Sequence, residues 1–165
     1  MGQENYLRFF FTCYTILADD KNCRREMMLG LKGKAADRMI AHVNRKLWWH
    51  CPPQDPRAYE ERGKFYASSF QEAEFWGRPL DIPERVEVKN PLVGDEKTIM
   101  TRLRLPLPKE SSLPLEQRFA IDRRMKSAAL KLGYDSILLM SSRGFARYKS
   151  SRKIPRSLEL NVLEP

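Results

Sequence analysis

The part of the sequence that most restricts the fold lies between residues 115 and 140, where a helical pattern is followed closely by a strand pattern. Apolar residues recur at helical spacing over residues 115–132, and Gly133 then provides a C-terminal stop. Residues 136–140 form a short, largely apolar run that is typical of a buried strand. A long helix beside a buried strand fits neither an all-α nor an all-β chain, so the sequence predicts an α+β fold.

The same two patterns recur elsewhere along the chain. Helical spacing over residues 34–46 predicts an amphipathic helix, and Ser69 begins a capping-box sequence that predicts a short helix carrying Phe75 and Trp76. An extended segment is expected at residues 5–17. Short aromatic or alternating stretches predict strands at Leu47–His50, 64–68, 85–88 and 158–162.

Three further boundaries follow from turn-forming residues. The strand at residues 85–88 is expected to end at Asn90 and Pro91. Prolines and glycines punctuate residues 94–114, which predicts a long surface loop. Residues 141–144 predict a turn, after which residues 145–148 would return as a hairpin strand.

Composition limits the class of protein but not its partner. The chain has 165 residues, with 42% hydrophobic and 31% charged residues, which favours one folded domain over a disordered chain. Its 30 Lys and Arg residues against 21 Asp and Glu residues give a net charge of +9. This charge favours nucleic acid, anionic lipid or an acidic partner, although a solvated basic surface would explain it equally well.

Cysteine content and hydropathy bear on the compartment. Cys13, Cys23 and Cys51 are odd in number and lack metal-ligand spacing, so neither a disulfide framework nor a metal site is expected. The apolar run over residues 6–18 is interrupted by Arg8, is too short to span a bilayer and lacks the basic lead of a signal peptide. We therefore expect a cytoplasmic protein that does not bind membranes.

Three polar groups lie on or beside predicted strands among apolar neighbours: His50, the cluster of Tyr66, Ser68 and Ser69, and Glu159. Such strand ends often carry binding and catalytic residues. A purely structural role is the alternative for each. His50 would then be a half-buried, hydrogen-bonded histidine, Ser69 a helix cap, and Glu159 a solvated strand residue.

The order of these groups resembles the ADP-ribosyltransferase superfamily, in particular its His-Tyr-Glu branch and its small bacterial or phage members, which include toxins and effectors. The resemblance covers residues 47–165, and residues 1–46 would be a lead-in strand and helix. It is carried by a strand with His, by Gly-Lys-Phe-Tyr-Ala-Ser-Ser before a helix, by Lys-Asn-Pro-Leu, by Gly-Tyr-Asp-Ser-Ile, and by a late strand with Glu. It implies a split, mostly antiparallel β-sandwich core with flanking helices.

The resemblance implies an NAD site. His50 would hydrogen-bond the ribose hydroxyls of NAD, because a neutral imidazole offers one donor and one acceptor. Cys51 stands where the family often has Gly, and its backbone would hold the nicotinamide amide. Tyr66 and Trp76, or Phe75, would stack on the nicotinamide ring.

The resemblance also implies a catalytic carboxylate. Glu159 would stabilise the charge that develops on the ribose as nicotinamide leaves, and it should be ionised at neutral pH to do so. Ser68 and Ser69 would hold the nicotinamide amide or position that glutamate. Ser157 stands two residues before Glu159, where arginine- or asparagine-directed transferases have Glu or Gln, so the acceptor, protein or nucleic acid, stays open.

Four cations precede Glu159 and could hold the pyrophosphate of NAD or a nucleic acid, or they could simply be solvated: Lys149, Arg152, Lys153 and Arg156. An alternative function is a basic nucleic-acid-binding or RNA-cleaving module. It is supported by the net charge of +9 and by the aromatic residues Trp48, Trp49, Phe65 and Tyr66, and His50 beside Glu159 would act as general acid and base. A third is an inactive transferase-like fold that serves as a binding protein in a host cell. The oligomeric state is left open by the sequence.

Overall fold

The computed structural model describes residues 33–108 and 113–164. The predicted strand at residues 5–17 lies outside the described residues, as do Cys13 and Cys23. None of the described helices is both long and apolar enough to cross a membrane. In chain order the elements are α1 (Lys34–Arg45), β1 (Leu47–His50), α2 (Arg57–Arg62), β2 (Lys64–Ala67), α3 (Phe70–Glu74), β3 (Glu84–Arg85), β4 (Pro91–Gly94), α4 (Glu96–Arg102), α5 (Leu115–Lys131), β5 (Ser136–Leu139), α6 (Ser142–Ser151) and β6 (Glu159–Val162).

The six strands form one open sheet in the order β3-β1-β2-β6-β5-β4. All neighbouring strands are antiparallel except β4 and β5, which are parallel. The mixed α+β class is therefore confirmed. The split β-sandwich is not observed among the described strands, because β2 pairs with β1 on one side and β6 on the other and so joins them in a single sheet.

Helices cover both faces of this sheet. On one face, strand residues such as Trp48, Leu138 and Leu160 pack against buried side chains of α1 and α6. On the opposite face, Leu92 and Ile137 pack against apolar residues of α4 and α5. Burial of this apolar surface is the main term that stabilises such a layered arrangement. Along the central strands, alternate residues therefore face the two opposite helical layers.

Several predicted elements are confirmed: α1, β1, β2, α5, β5 and β6. The serine half of the predicted capping box of α3 is confirmed, since Ser69 Oγ accepts a hydrogen bond from the backbone N–H of Glu72 at 3.3 Å. The Glu72 carboxylate accepts from the Ser68 hydroxyl at 2.6 Å. This helix ends at Glu74 and is therefore shorter than expected, since Phe75 and Trp76 lie after its last residue.

The prediction for residues 85–108 was wrong in two places. The expected strand is only the two-residue β3, and β4 begins at Pro91, where a strand was expected to end. Proline is tolerated there because it is the first residue of an edge strand and no neighbour needs its N–H. The expected loop contains α4, whose first turn is capped by the Asp95 carboxylate, which accepts from Thr98 N at 2.9 Å.

The predicted hairpin strand at residues 145–148 was also wrong, because these residues lie within α6. Ser141 Oγ caps the helix by accepting a hydrogen bond from Gly144 N at 3.1 Å. Phe145 and Tyr148 then lie one turn apart and are both buried in the core. Their spacing of three residues fits a helix face and not the alternation of a strand.

Candidate functional site

The candidate site residues fall into two groups on opposite faces of the sheet. Ala67 on β2 pairs with Glu159 on β6. Tyr66, which directly precedes Ala67 on β2, pairs with His50 on β1. Successive residues of a strand point to opposite faces, so His50 and Tyr66 lie on one face and Glu159 on the other. The structure therefore does not bring together His50 and Glu159, as a ribose-binding site or an acid–base pair would require.

His50 belongs to a group that we call the histidine cluster, formed by His50, Tyr59, Lys64, Tyr66 and Glu84. Its Nδ1 lies 2.7 Å from the carbonyl oxygen of Phe65, which can only accept, so Nδ1 carries the proton. Its Nε2 therefore accepts from the Tyr59 hydroxyl, at 2.7 Å. Burial lowers the pKa of His50, partly offset by the bond to Phe65. His50 is thus a neutral, buried imidazole with both nitrogens bonded.

Tyr66 is fixed in the same cluster by a carboxylate. Its hydroxyl donates to Glu84 at 3.0 Å, and Lys64 Nζ donates to the same carboxylate at 2.8 Å. Burial and the bond to Glu84 raise the pKa of Tyr66. Burial alone would raise the pKa of Glu84, but the bonds from Lys64 and Tyr66 lower it overall. Tyr66 is only 6% exposed and lies 5.4 Å from His50 between ring centres.

Cys51, Phe75 and Trp76 lie together beyond the end of β1. A side chain at Gly77, which has a φ of 144°, would come within 2.9 Å of Cys51 Sγ, so Cys51 packs directly against this turn. Burial raises the pKa of the Cys51 thiol. The rings of Phe75 and Trp76 meet edge to face at 5.7 Å. An open groove of about 590 Å³ adjoins this turn and is lined by Phe70, Glu74, Gly77, Arg78, Pro79 and Asp81.

Ser68 connects the end of β2 to the start of β6. Its Oγ accepts from the backbone N–H of Leu158 at 3.0 Å. Its hydroxyl proton has two acceptors in reach, the Glu72 carboxylate at 2.6 Å and the Arg156 carbonyl at 2.9 Å. Ser68 is buried and bonds the residue that directly precedes Glu159. Ser68 therefore bonds the backbone just before Glu159, while Ser69 caps α3.

Glu159 is the first residue of β6 and is half-buried at a small cavity. The cavity has a volume of about 20 Å³, enough for about one water molecule. Its walls are mainly apolar, with one carboxylate from α5 and one amide from β6. They are formed by Phe65, Asp122, Met125, Ile137, Leu139, Glu159 and Asn161.

Asp122 on α5 changes the expected protonation of Glu159. Burial, and then the nearby charge of Asp122, raise the pKa of Glu159 to about 8. Burial also raises the pKa of Asp122, to about 6, although Arg118 and Arg62 oppose that shift. Of these two neighbouring carboxyls, Glu159 therefore favours the protonated form more strongly, whereas an ionised glutamate was expected from the sequence. Two carboxyls whose pKa values are pushed apart in this way are suited to proton transfer.

Two arginines and a third carboxylate complete what we call the carboxylate cluster, formed by Arg62, Glu96, Arg118, Asp122 and Glu159. Arg62 lies 3.9 Å from Asp122, and Arg118 lies 3.6 Å from Glu96. These four side chains are only 14% to 18% exposed. Burial raises the pKa of Glu96, against the effect of Arg118. Low exposure makes these charges interact more strongly than they would in water.

Asn161 lies on the same face as Glu159, two residues further along β6. Its side chain is 6% exposed, and its Nδ2 donates to the carbonyl of Arg62 at 3.0 Å. Its Oδ1 is buried without a hydrogen-bond partner among the described residues. Gly63 lies against this amide, because a side chain there would collide with Asn161 Oδ1 and the Val162 carbonyl. The Asn161 amide is thus confined by α2 and β2 at the cavity wall.

The sequence did not indicate Asp122, Arg62 or Arg118 as site residues. Arg118 and Asp122 are one helical turn apart on α5, and this spacing is the only trace of the cluster in the sequence. Trp49 pairs with Ala67 and so lies on the face of Glu159, with its ring edge-to-face against Phe70 at 5.0 Å. Only the strand register shows that it shares this face.

No protein-family model, curated protein or solved structure matches this chain. Within residues 33–108 and 113–164, no three His, Cys, Asp or Glu side chains are arranged to hold a metal ion.

Proposed function

We propose that this chain cleaves the nicotinamide–ribose bond of NAD and transfers ADP-ribose to a macromolecular acceptor, with Glu159 as the catalytic carboxylate. The observation that carries the proposal is the placement of Glu159. It begins a central strand, is half-buried beside an apolar cavity, and follows a residue whose backbone is held by Ser68. The ordered motifs over residues 47–165 support the same assignment.

The proposed reaction needs one well-placed negative charge. The bond between ribose C1′ and the nicotinamide nitrogen breaks, and nicotinamide leaves with the electron pair as a neutral molecule. Positive charge then develops on the ribose, where an ionised Glu159 would accept a hydrogen bond from the 2′-hydroxyl and stabilise that charge. A nucleophile of the acceptor bonds to C1′ and releases its proton. The poorly solvated surroundings of Glu159 would strengthen this stabilisation.

Glu159 must lose its proton to act in this way. Its pKa of about 8 in the protein alone means that it is mainly protonated at neutral pH. A cationic nicotinamide ring nearby favours the ionised form, because an opposite charge lowers the pKa of a carboxyl. NAD binding and ionisation of Glu159 would therefore favour each other, and kcat/KM for NAD should increase with pH and reach half its maximum near pH 8.

NAD is much larger than the 20 Å³ cavity, so it would have to approach Glu159 from the end of the sheet. On the face of Glu159, Phe65 and Trp49 are two aromatic residues that would be placed to stack on the nicotinamide ring. Phe75 and Trp76 lie between Glu74 and Gly77, which line the open groove, and stay predicted contacts of the nicotinamide. Tyr66 and His50 lie on the other face and would contribute through the packing of β1 and β2.

The test is release of nicotinamide from NAD by the full chain, with and without a cell extract that supplies acceptors. Glu159→Gln removes the charge and keeps the shape, so we expect turnover to fall by about a hundredfold or more, with circular dichroism unchanged. Glu164→Gln is the matched control, since Glu164 is exposed and five residues further along. It should leave turnover unchanged.

Two results would overturn the proposal. The first is a folded wild-type chain that releases no nicotinamide in any extract. The second is a Glu159→Gln variant that releases nicotinamide as fast as the Glu164→Gln control.

A further inference from the structure

The segment from α6 to the start of β6 carries an unusual concentration of positive charge. Residues 142–157 contain six cations and no acidic residue. All six are exposed: Arg143, Arg147, Lys149, Arg152, Lys153 and Arg156. We call these six residues the basic surface.

The way α6 packs explains why these cations face outward. Phe145 and Tyr148 are buried against the sheet, which leaves the opposite side of the helix in solvent. Arg143 and Arg147 are one turn apart on that exposed side. Ile154, which follows the helix, also packs against the core. This contact holds the segment after the helix along the protein surface.

The chain after α6 turns back along the helix and brings further cations beside it. Arg152 ends the helix in a left-handed conformation, with φ of 58°. Pro155 then lies against the first turn, because a side chain at Gly144 would come within 3.2 Å of its ring. Lys153 is two residues before this proline, and Arg156 directly follows it. The basic surface is therefore a compact patch and not a single row.

Most of these cations form no ion pair with the acidic side chains of residues 33–108 and 113–164. Arg62, Lys64, Arg118 and Arg123 are each within 4 Å of a carboxylate. By contrast, no ion pair within residues 33–108 and 113–164 includes Arg143, Arg147, Arg152, Lys153 or Arg156.

We infer that the basic surface binds the phosphate backbone of a nucleic acid. Four of its six cations are arginines, whose planar guanidinium groups form paired hydrogen bonds to phosphate oxygens. An anionic membrane fits less well, because an interfacial helix needs exposed apolar residues beside its cations. Here Phe145, Tyr148 and Ile154 all pack toward the core instead.

This inference does not depend on NAD cleavage and goes beyond it. The patch is joined to the carboxylate end of β6, since Arg156 is three residues before Glu159 and its carbonyl oxygen is 2.9 Å from Ser68 Oγ. Three residues span at most about 10 Å. A nucleic acid bound to the basic surface would thus lie near Glu159. If the chain also cleaves NAD, this geometry favours that nucleic acid as the acceptor of ADP-ribose.

The experiment measures binding of fluorescent single-stranded RNA and duplex DNA to the full chain by anisotropy, over a range of salt concentrations. The test variant carries Arg143→Gln, Arg147→Gln and Lys153→Gln. The matched control carries Lys34→Gln, Arg38→Gln and Lys131→Gln, which removes the same charge from exposed positions on α1 and α5. Melting temperatures of all three proteins show that they are folded.

We expect the wild type to bind at least one of the two probes. The affinity of the test variant should be lower by about tenfold or more. The slope of its log affinity against log salt concentration should correspond to roughly two to three fewer released ions. The affinity of the control should differ from that of wild type by less than about threefold. Equal losses in both variants would show a general charge effect and overturn the inference. So would failure to bind either probe, or tighter binding to anionic vesicles or polyglutamate than to nucleic acid. None of these results bears on nicotinamide release.

Discussion

The backbone N–H of Leu158 donates a hydrogen bond to Ser68 Oγ at 3.0 Å, which joins two positions 90 residues apart in the sequence. Leu158 directly precedes Glu159, and Ser68 directly follows Ala67, the strand partner of that glutamate. The bond therefore extends the pairing of β2 with β6 by one residue, after the end of β2 and before the start of β6. This bond fixes the backbone from which the Glu159 side chain extends.

Ser68→Ala should destabilise the protein by about 1 to 3 kcal/mol, because it leaves the buried N–H of Leu158 without a partner. Chemical denaturation measures the difference. Ser150→Ala is the control, since the Ser150 hydroxyl is exposed and only donates to Arg147 one turn earlier. Equal stability of the two variants would contradict the role given to Ser68.

Glu159 should make the stability of the protein decrease with increasing pH. Its folded-state pKa of about 8 lies above its ordinary value of 4.5, so between these values the folded protein holds a proton that the unfolded chain has released. Glu159→Gln removes this effect. The variant should therefore gain at least about 1 kcal/mol relative to wild type between pH 6.5 and pH 9.

Denaturation curves at several pH values provide the measurement for that variant. Glu164→Gln, which replaces an exposed carboxylate close by in the sequence, is again the control. A constant difference between Glu159→Gln and wild type over the same range would mean that Glu159 is not protonated in the folded protein.

Asp122 should act on Glu159 through its charge. Because the Asp122 carboxylate raises the pKa of Glu159, Asp122→Asn should lower that pKa, as followed by carbon NMR of the glutamate side chain. Glu116→Gln removes an exposed charge from the same helix and should leave the pKa unchanged. An unchanged pKa in Asp122→Asn would show that the charge of Asp122 is not a cause of the shift.

Local patterns in the sequence were sufficient to predict those elements that have a strong period or a clear cap, such as α1, α5 and α3. They failed where one turn-forming residue outweighed a weaker signal. Gly144 in the first turn of α6 suggested a turn, although Ser141 caps a helix there. The cap formed by Asp95 was likewise hidden among prolines and glycines.

The candidate site was harder to predict, because it depends on pairing between distant strands. Whether His50 and Glu159 share a face depends on the register of β1 with β2 and of β2 with β6, and a shift of one residue reverses the answer. No local pattern contains that register. Asp122 was missed for the same reason, since only packing of α5 on the sheet brings it to Glu159.

Gly63 should tolerate no side chain, for two independent reasons. Its φ of 88° favours glycine, and a side chain would collide with Asn161 and with the Val162 carbonyl. Gly133→Ala is a matched control, because Gly133 has a similar φ of 79° but nothing within 4 Å. Gly63→Ala should cost about 2 kcal/mol or more beyond Gly133→Ala in chemical denaturation. Equal losses would mean that the Asn161 side chain moves away freely.

His50 should contribute to stability more than to NAD binding, because its imidazole is 2% exposed and both ring nitrogens are bonded. Its truncation creates a cavity and leaves the Phe65 carbonyl and the Tyr59 hydroxyl without their partner. His50→Ala should therefore cost about 2 to 4 kcal/mol of unfolding free energy. His42→Ala on the half-buried side of α1 is the comparison and should cost less. A His50→Ala variant that melts like wild type but shows a greatly increased Michaelis constant for NAD would instead support the ribose-binding role that the family resemblance implies.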